Sequence, residues 1–146
     1  MPFQFTGDFL VRRKPEEVYD FLVDPQRFCP LLPDYQSMTV TDPTHFTVSM
    51  LVGISHIRGT ATVKMALEEA QRPVRALYSG KGSVVGGNVE MTAGFEVEGV
   101  PEGARVRWKG TAQIFGRLIS IAGGILEPLA KKNVQKLIDG LQAALG

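Results

Sequence analysis

Cysteine is almost missing from this sequence: Cys29 stands alone, which rules out an internal disulfide and any zinc site built on four cysteines or on two cysteines and two histidines. An excess of either charge is missing too. Sixteen basic against fifteen acidic side chains leave a formal charge of +1, too balanced for a dedicated nucleic-acid binder. No run of about eighteen apolar residues exists to span a bilayer, and residues 1–11 carry no basic cluster ahead of an apolar stretch, so a cytoplasmic protein without a secretory signal is expected. Repeats, linkers and charge runs are also lacking. What remains is a chain of 146 residues, 44% apolar, with Leu, Val, Ile and Phe spread along its length. That is one globular domain, able to bury roughly two thirds of the surface its unfolded form exposes.

Alternation dominates the pattern. Phe3, Phe5, Gly7, Phe9 and Val11 share one face of a strand, and Gln4, Thr6, Asp8 and Leu10 the other. Pro15 followed by Glu16 and Glu17 marks a helix start, since proline loses nothing at the first helical position and carboxylates favour the positive end of the helix dipole. Val18, Phe21 and Leu22 form its buried stripe. Asp24 with Pro25 repeats the signal and Pro30 and Pro33 end it, so a second short helix covers residues 25–31. A strand follows over Ser37–Thr41.

Phe46, Val48, Met50 and Val52 then share one face, as do Ile57, Gly59, Ala61, Val63, Met65 and Leu67. A turn at Gly53 and Ile54 pairs position 50 with 57, 48 with 59 and 46 with 61, apolar against apolar. This register sets His56 opposite Leu51 and roughly 20 Å from His45, too far to share a metal. A shorter strand, Val74–Ser79, runs into the glycine-rich stretch Gly80–Gly87. That stretch reads as a flexible connection, because no lysine with Ser or Thr follows in the phosphate-loop spacing and no helix opens there. Val89, Met91, Ala93, Phe95 and Val97 face inward on the next strand. After a turn through Pro101 and Gly103, Ala104, Val106, Trp108, Gly110, Ala112 and Ile114 do so on the last. Glu90, Glu96 and Glu98 lie opposite Arg105, Arg107 and Lys109, which predicts cross-strand ion pairs on a wet outer face. From Leu118 the apolar period becomes helical. Leu118, Ala122, Ile125, Leu129, Leu137, Leu141 and Ala144 run down one face, with Gly123, Gly124 and Pro128 bending or interrupting the first third.

No inward position of the alternating strands is Asp, Glu, Lys, Arg or His, and only Trp108, with Tyr78 on the less regular strand, offers a side-chain hydrogen bond. Acid/base, metal-assisted and nucleophilic catalysis all need titratable or ligating groups in a cleft, so no catalytic residue, metal or cofactor is expected. Such a face suits either a filled core or a container. Gly7, Gly59, Ala61, Ala93, Ala104, Gly110 and Ala112 are small enough to leave space, and Met50, Met65 and Met91 fit both cases. Cys29, between Phe28 and Pro30, reads as a small buried hydrophobe. The uncharged run Leu118 to Leu126 is too short to span a bilayer and suits burial, a subunit contact or a membrane surface.

One strand, two short helices, a long antiparallel sheet of about seven strands and a closing helix make an α+β chain whose element order resembles the START-like (SRPBCC) helix-grip proteins. Within them it is similar to the CoxG-like group, named for the G subunit of carbon monoxide dehydrogenase. The matching pieces are Pro15-Glu16-Glu17-Val18-Tyr19-Asp20-Phe21-Leu22, Asp24-Pro25-Gln26-Arg27-Phe28, and Val52-Gly53-Ile54 before Ile57-Arg58-Gly59. At the end come Gly116-Arg117-Leu118, Gly123-Gly124 and Leu129-Ala130-Lys131-Lys132. Leu32-Pro33-Asp34 departs from the proline-glycine pair of many relatives. The resemblance implies a sheet wrapped around the last helix over an apolar cavity. It also implies an accessory protein of a molybdenum hydroxylase of the carbon monoxide dehydrogenase type, helping to place it at the inner face of the membrane, with a lipid-like or quinone-like ligand.

The expected function is therefore non-enzymatic binding of a hydrophobic small molecule. The residues expected to face it are Met50, Ile57, Ala61, Met65, Tyr78, Met91, Ala93, Phe95, Trp108 and Ala112 on the sheet and Leu118, Ala122, Ile125 and Leu129 on the helix, with peripheral membrane contact through Leu118 to Leu126. The alternatives are a polyketide cyclase or aromatase-like enzyme using Tyr78, Asp34, Glu127 or Asn133, and a protein-docking subunit with a filled core.

Overall fold

The computed structural model describes residues 2–54, 57–84 and 86–146; the side chains of Ile54, Ile57, Leu118, Ser120, Ile121 and Ala122 are outside the described residues. Elements follow in the order β1 (Pro2–Val11), α1 (Pro15–Leu22), α2 (Pro25–Phe28), β2 (Tyr35–Asp42), β3 (His45–Ile54), β4 (Ile57–Gln71), β5 (Arg75–Val84), β6 (Gly87–Val100), β7 (Gly103–Gly116) and α3 (Arg117–Leu145). The strands form one seven-stranded antiparallel sheet, β1-β7-β6-β5-β4-β3-β2, with α3 against its concave face.

The helix starts follow the sequence signals. Pro15 opens α1 with Glu16 and Glu17 in the first turn. Asp24 caps α2 by accepting from the Gln26 backbone N–H at 3.0 Å, and a 3-10 turn over Cys29–Leu31 finishes the expected second helix. A two-pronged hydrogen bond from Arg72 to Asp20, at 2.8 and 3.0 Å, ties α1 to the β4–β5 turn. Asp34 takes a positive φ of 56° at the position where the resemblance puts glycine.

Three expectations are corrected. The β3–β4 hairpin pairs Met50 with Ala61, Val48 with Val63 and Phe46 with Met65, four residues from the expected register, with Ile54 opposite Ile57 instead of forming the turn. A shift by an even number keeps every side chain on its face, so apolar patterning cannot distinguish the two. His56 lies outside the described residues, and His45 Nδ1 is 2.9 Å from Asp42 Oδ1. The glycine-rich stretch is mostly strand. Gly80 is buried inside β5, where a Cβ would come within 2.5 Å of Met65 Sδ, so this glycine serves close packing and not flexibility. Finally, α3 is one continuous helix through Pro128, so of the expected bend or interruption the interruption does not occur, and its buried side passes through Leu126, Leu141 and Leu145, with Ile125 and Ala144 exposed.

On the outer face the expected charges meet in part. Arg107 reaches Glu98 diagonally at 3.3 Å, Arg105 lies 3.9 Å from Asp8 on β1, and Lys109 stands opposite Gly94. These exposed pairs add little stability. Burial is divided among three clusters: Phe9, Val18, Val106 and Leu141 with their neighbours, Cys29, Phe46, Val63 and Tyr78 with theirs, and Phe3 with Leu126. Phe28 and Phe95 pack against both of the first two clusters and join them.

Candidate functional site

The antiparallel register decides where the space between the clusters falls. Across β1, β7, β6 and β5 it lines up Phe5, Gly110, Ala93 and Tyr78 in one row, aromatic at the ends and small in the middle. The adjacent row, Gly7, Trp108, Phe95 and Ala76, has the reverse order. There the indole of Trp108 leans over Gly7, so closely that a Cβ on Gly7 would meet ring carbon Cζ2 at 2.7 Å. Glycine at position 7 thus makes room for the indole. At Gly110 the situation is opposite: a Cβ would find nothing nearer than the Thr92 carbonyl oxygen at 3.9 Å. At Gly110 the sheet thus leaves room where a side chain would begin.

That room opens into a cavity of about 290 Å³ under α3. Met91, Ala93, Phe95, Trp108, Gly110 and Ala112 form the sheet side, with Phe5, Phe9 and Val106 around them. Leu22 and Phe28 close one side, and Ala130, Val134, Leu137, Ile138 and Leu141 form the helical roof. The size lies near the lower end of small-molecule pockets, roughly 300–1,000 Å³. Among the described residues no charged side chain is buried, Tyr19, Tyr78 and Cys29 being the buried ones that carry a polar atom, and no group of three or more His, Cys, Asp or Glu could hold a metal.

Of the residues expected to face a ligand, Tyr78, Met91, Ala93, Phe95, Trp108 and Ala112 line this cavity. Met50, Ala61 and Met65 do not; Met65 and Met50 pack in the cluster around Cys29, and Ala61 is buried beside Met50 on β4. Ile125 is 46% exposed, and Leu129 packs with Phe3 and Leu126. The side chains of Ile57, Leu118 and Ala122 lie outside the described residues. The expected set omitted Phe5, Phe9, Leu22 and Gly110, although each already stood on an inward face or buried stripe. It also omitted the roof, which follows from a helical stripe begun at Leu126, one residue beyond the expected Ile125. Of the small residues expected to leave space, Gly7 is covered by Trp108 and Ala104 is fully buried, while Ala93, Gly110 and Ala112 border the hollow.

Tyr78 is corrected in role. Its hydroxyl donates to the Leu22 carbonyl at 2.9 Å, and its ring packs against Phe28 and Phe46 with centroids 5.8 and 5.9 Å away. Burial holds its pKa well above the usual phenol value. It is a lock between β5 and α1, not a free hydroxyl for a ligand or a proton transfer. Burial also pushes the neighbouring Cys29 thiol up to about 12, which keeps it protonated and unreactive. Asp34 and Glu127 are exposed, Asn133 is half-buried, and none of them lines the cavity.

Known proteins share this architecture. A conserved protein from Geobacillus kaustophilus superposes with a TM-score of 0.85 at 15% identity, over 98% of this chain and 95% of that one. The Zhui aromatase/cyclase from Streptomyces sp. R1128 gives 0.69 at 13%, over 99% and 94%. The di-domain ARO/CYC StfQ of the steffimycin biosynthetic pathway gives 0.69 at 13%, covering 99% of this chain and 51% of that chain. At these identities the likeness is one of fold, the seven-stranded helix-grip arrangement seen here. No curated protein matches the sequence. The family model for the G subunit of carbon monoxide dehydrogenase (CoxG) matches residues 7–146, and the chain belongs to that family.

Proposed function

We propose that this domain is a non-enzymatic binding module that takes one hydrophobic, lipid-like or quinone-like molecule into the cavity under α3. In this reading it serves as an accessory subunit that helps place a carbon monoxide dehydrogenase-type molybdenum hydroxylase at a membrane. The observation that carries the first half is the space left above Gly110, walled by apolar side chains. A cavity of about 150 Å³ takes up benzene, so about 290 Å³ has room for two fused rings or a short alkyl chain. Burying about 200 Å² of such a ligand gains about 5 kcal/mol.

Family membership supports the second half. Among the described residues no helix is long and apolar enough to cross a membrane, so the contact would be peripheral, and the exposed Ile125 beside Gly124 at the head of α3 suits it. An aromatase/cyclase-like enzyme would need an uncommitted acid or base on the cavity wall, and the described inward-facing side chains supply neither.

The test uses the purified protein. Organic extraction followed by mass spectrometry identifies what it carries, and titration with the neutral two-ring fluorophore 1-aminonaphthalene should give saturable, stoichiometric binding. An empty extract together with no saturable binding would overturn the proposal.

A further inference from the structure

Charge is segregated along the sheet. The β3–β4 turn, the β5–β6 turn and the β7–α3 junction lie at one end, gathered around the cluster of Phe3 and Leu126 on which Val52, Val84 and Ile114 pack. Past their last outer partners, Tyr35 opposite Met50 and Ser83 opposite Thr62, β3 and β4 continue as an arm about 13 Å long. Residues 51–60, 82–89 and 114–126, which make up these tips, contain no Asp or Glu. Their arginines are Arg58, opposite Gly53 on the arm, and Arg117, at the start of α3. Both are exposed, and neither forms an ion pair among the described residues. The nearest acids along the chain are Glu90, which faces Lys81, and Glu127. The ion pairs of the described residues lie toward the opposite end, at α1, α2 and the turns joining β2 to β3, β4 to β5 and β6 to β7.

Exposed apolar side chains stand with the two free arginines: Leu51 on the arm, Phe115 just ahead of Arg117, and Ile125. They are spread around a rim, a shape that a bilayer surface meets at every point and a peptide meets at one. An arginine stem can lie along the apolar boundary while its guanidinium stays level with lipid phosphates.

Resting on the membrane contact proposed above, we infer that this end of the sheet docks on anionic lipid, with Arg58 and Arg117 reading the negative surface and Leu51, Phe115 and Ile125 entering the headgroup boundary. Two such cations give about thirtyfold tighter binding than to a neutral bilayer, about fivefold each.

Sedimentation with large unilamellar vesicles tests this, phosphatidylcholine alone against phosphatidylcholine with about one third phosphatidylglycerol, at about 0.1 M salt. The wild type should prefer the anionic vesicles about thirtyfold. Arg58→Gln and Arg117→Gln should each remove about fivefold of that preference, and salt at about 1 M should erase it. Ile125→Ser should weaken binding to both vesicles alike, whereas Val74→Ser, at an exposed apolar position of the opposite end, should weaken neither. Equal binding to the two vesicles, or a preference that both arginine substitutions leave intact, overturns the assignment while peripheral contact stands. Binding to neither overturns it together with the membrane half of the proposed function; the ligand half is read separately, by 1-aminonaphthalene titration without lipid.

Discussion

Replacing Gly110 with leucine tests the hollow by the sign of its effect. A side chain placed into a packed interior costs about 1–3 kcal/mol through overpacking. At Gly110 a Cβ meets only the Thr92 carbonyl oxygen at 3.9 Å, and the cavity beyond holds about 290 Å³, so leucine should enter without displacing a neighbour. Burying a leucine side chain gains about 1.5–3 kcal/mol, and removing glycine from a strand interior adds about 0.5–1 kcal/mol. The cavity mouth leaves part of the new side chain wet, so a net gain of about 2 kcal/mol is expected. In a chain of this length that raises Tm by about 4–8 °C. Thermal unfolding followed by circular dichroism reads the shift, and fluorophore titration reads the accompanying loss of binding. A lowered Tm would mean that no room exists above Gly110, and a stabilised variant with undiminished binding would mean that the ligand sits elsewhere.

Three further outcomes follow from the same geometry. Tyr78→Phe leaves the Leu22 carbonyl without its donor and should lower stability in urea by about 1–2 kcal/mol; no measurable loss would mean that the lock contributes nothing. Burial raises the Cys29 thiol to about 12, above the roughly 8.5 of an unfolded cysteine, so between these values only the folded chain keeps the proton. Stability should therefore fall as the pH rises through that window, and Cys29→Ala should flatten the slope, whatever it does to stability at neutral pH. At Asp34, the φ of 56° makes glycine neutral or mildly stabilising, whereas Asp34→Val should cost about 1–2 kcal/mol; equal melting temperatures for the two variants would refute strain there.

What the sequence made legible was whatever alternation can encode. Face assignments in β1, β3, β4, β6 and β7 follow from parity, and so does the absence of charge from the concave side. Parity is silent on even register shifts, which is why the expected pairing of Met50 with residue 57 missed its actual partner, Ala61. Small inward residues also give no depth by themselves. Gly7 and Gly110 sit on equivalent inward positions of neighbouring strands, yet one is covered by an indole and the other is bare. The difference lies in which way Trp108 leans, a side-chain choice made across strands. On α3 the unbroken apolar run ahead of Glu127 hides which side is buried, and the stripe becomes readable only where Lys131, Lys132 and Lys136 mark the wet side. The hydroxyl of Tyr78 and the carbonyl of Leu22 are far apart in sequence, and nothing local links them.

An unfilled space is a standing cost. At about 24 cal/mol per Å³ a fully enclosed hollow of about 290 Å³ would cost about 7 kcal/mol; this one opens at a mouth, so its cost is smaller, set against about 7–20 kcal/mol of net stability for a chain of this size. A single larger residue at Gly110 would recover part of it, and under the binding role proposed above an occupant recovers it instead, in the space bordered by Gly110, Ala93 and Ala112. Ligand and leucine then draw on the same reserve. At a hundredfold excess over its Kd a ligand stabilises the wild type by about 2.7 kcal/mol. In Gly110→Leu the volume has already been used, so adding 1-aminonaphthalene should raise the wild-type Tm and leave the variant's unmoved. Equal ligand-induced shifts in the two proteins would show that the stabilising leucine and the bound molecule occupy different places, and the cavity under α3 would lose its claim to be the site.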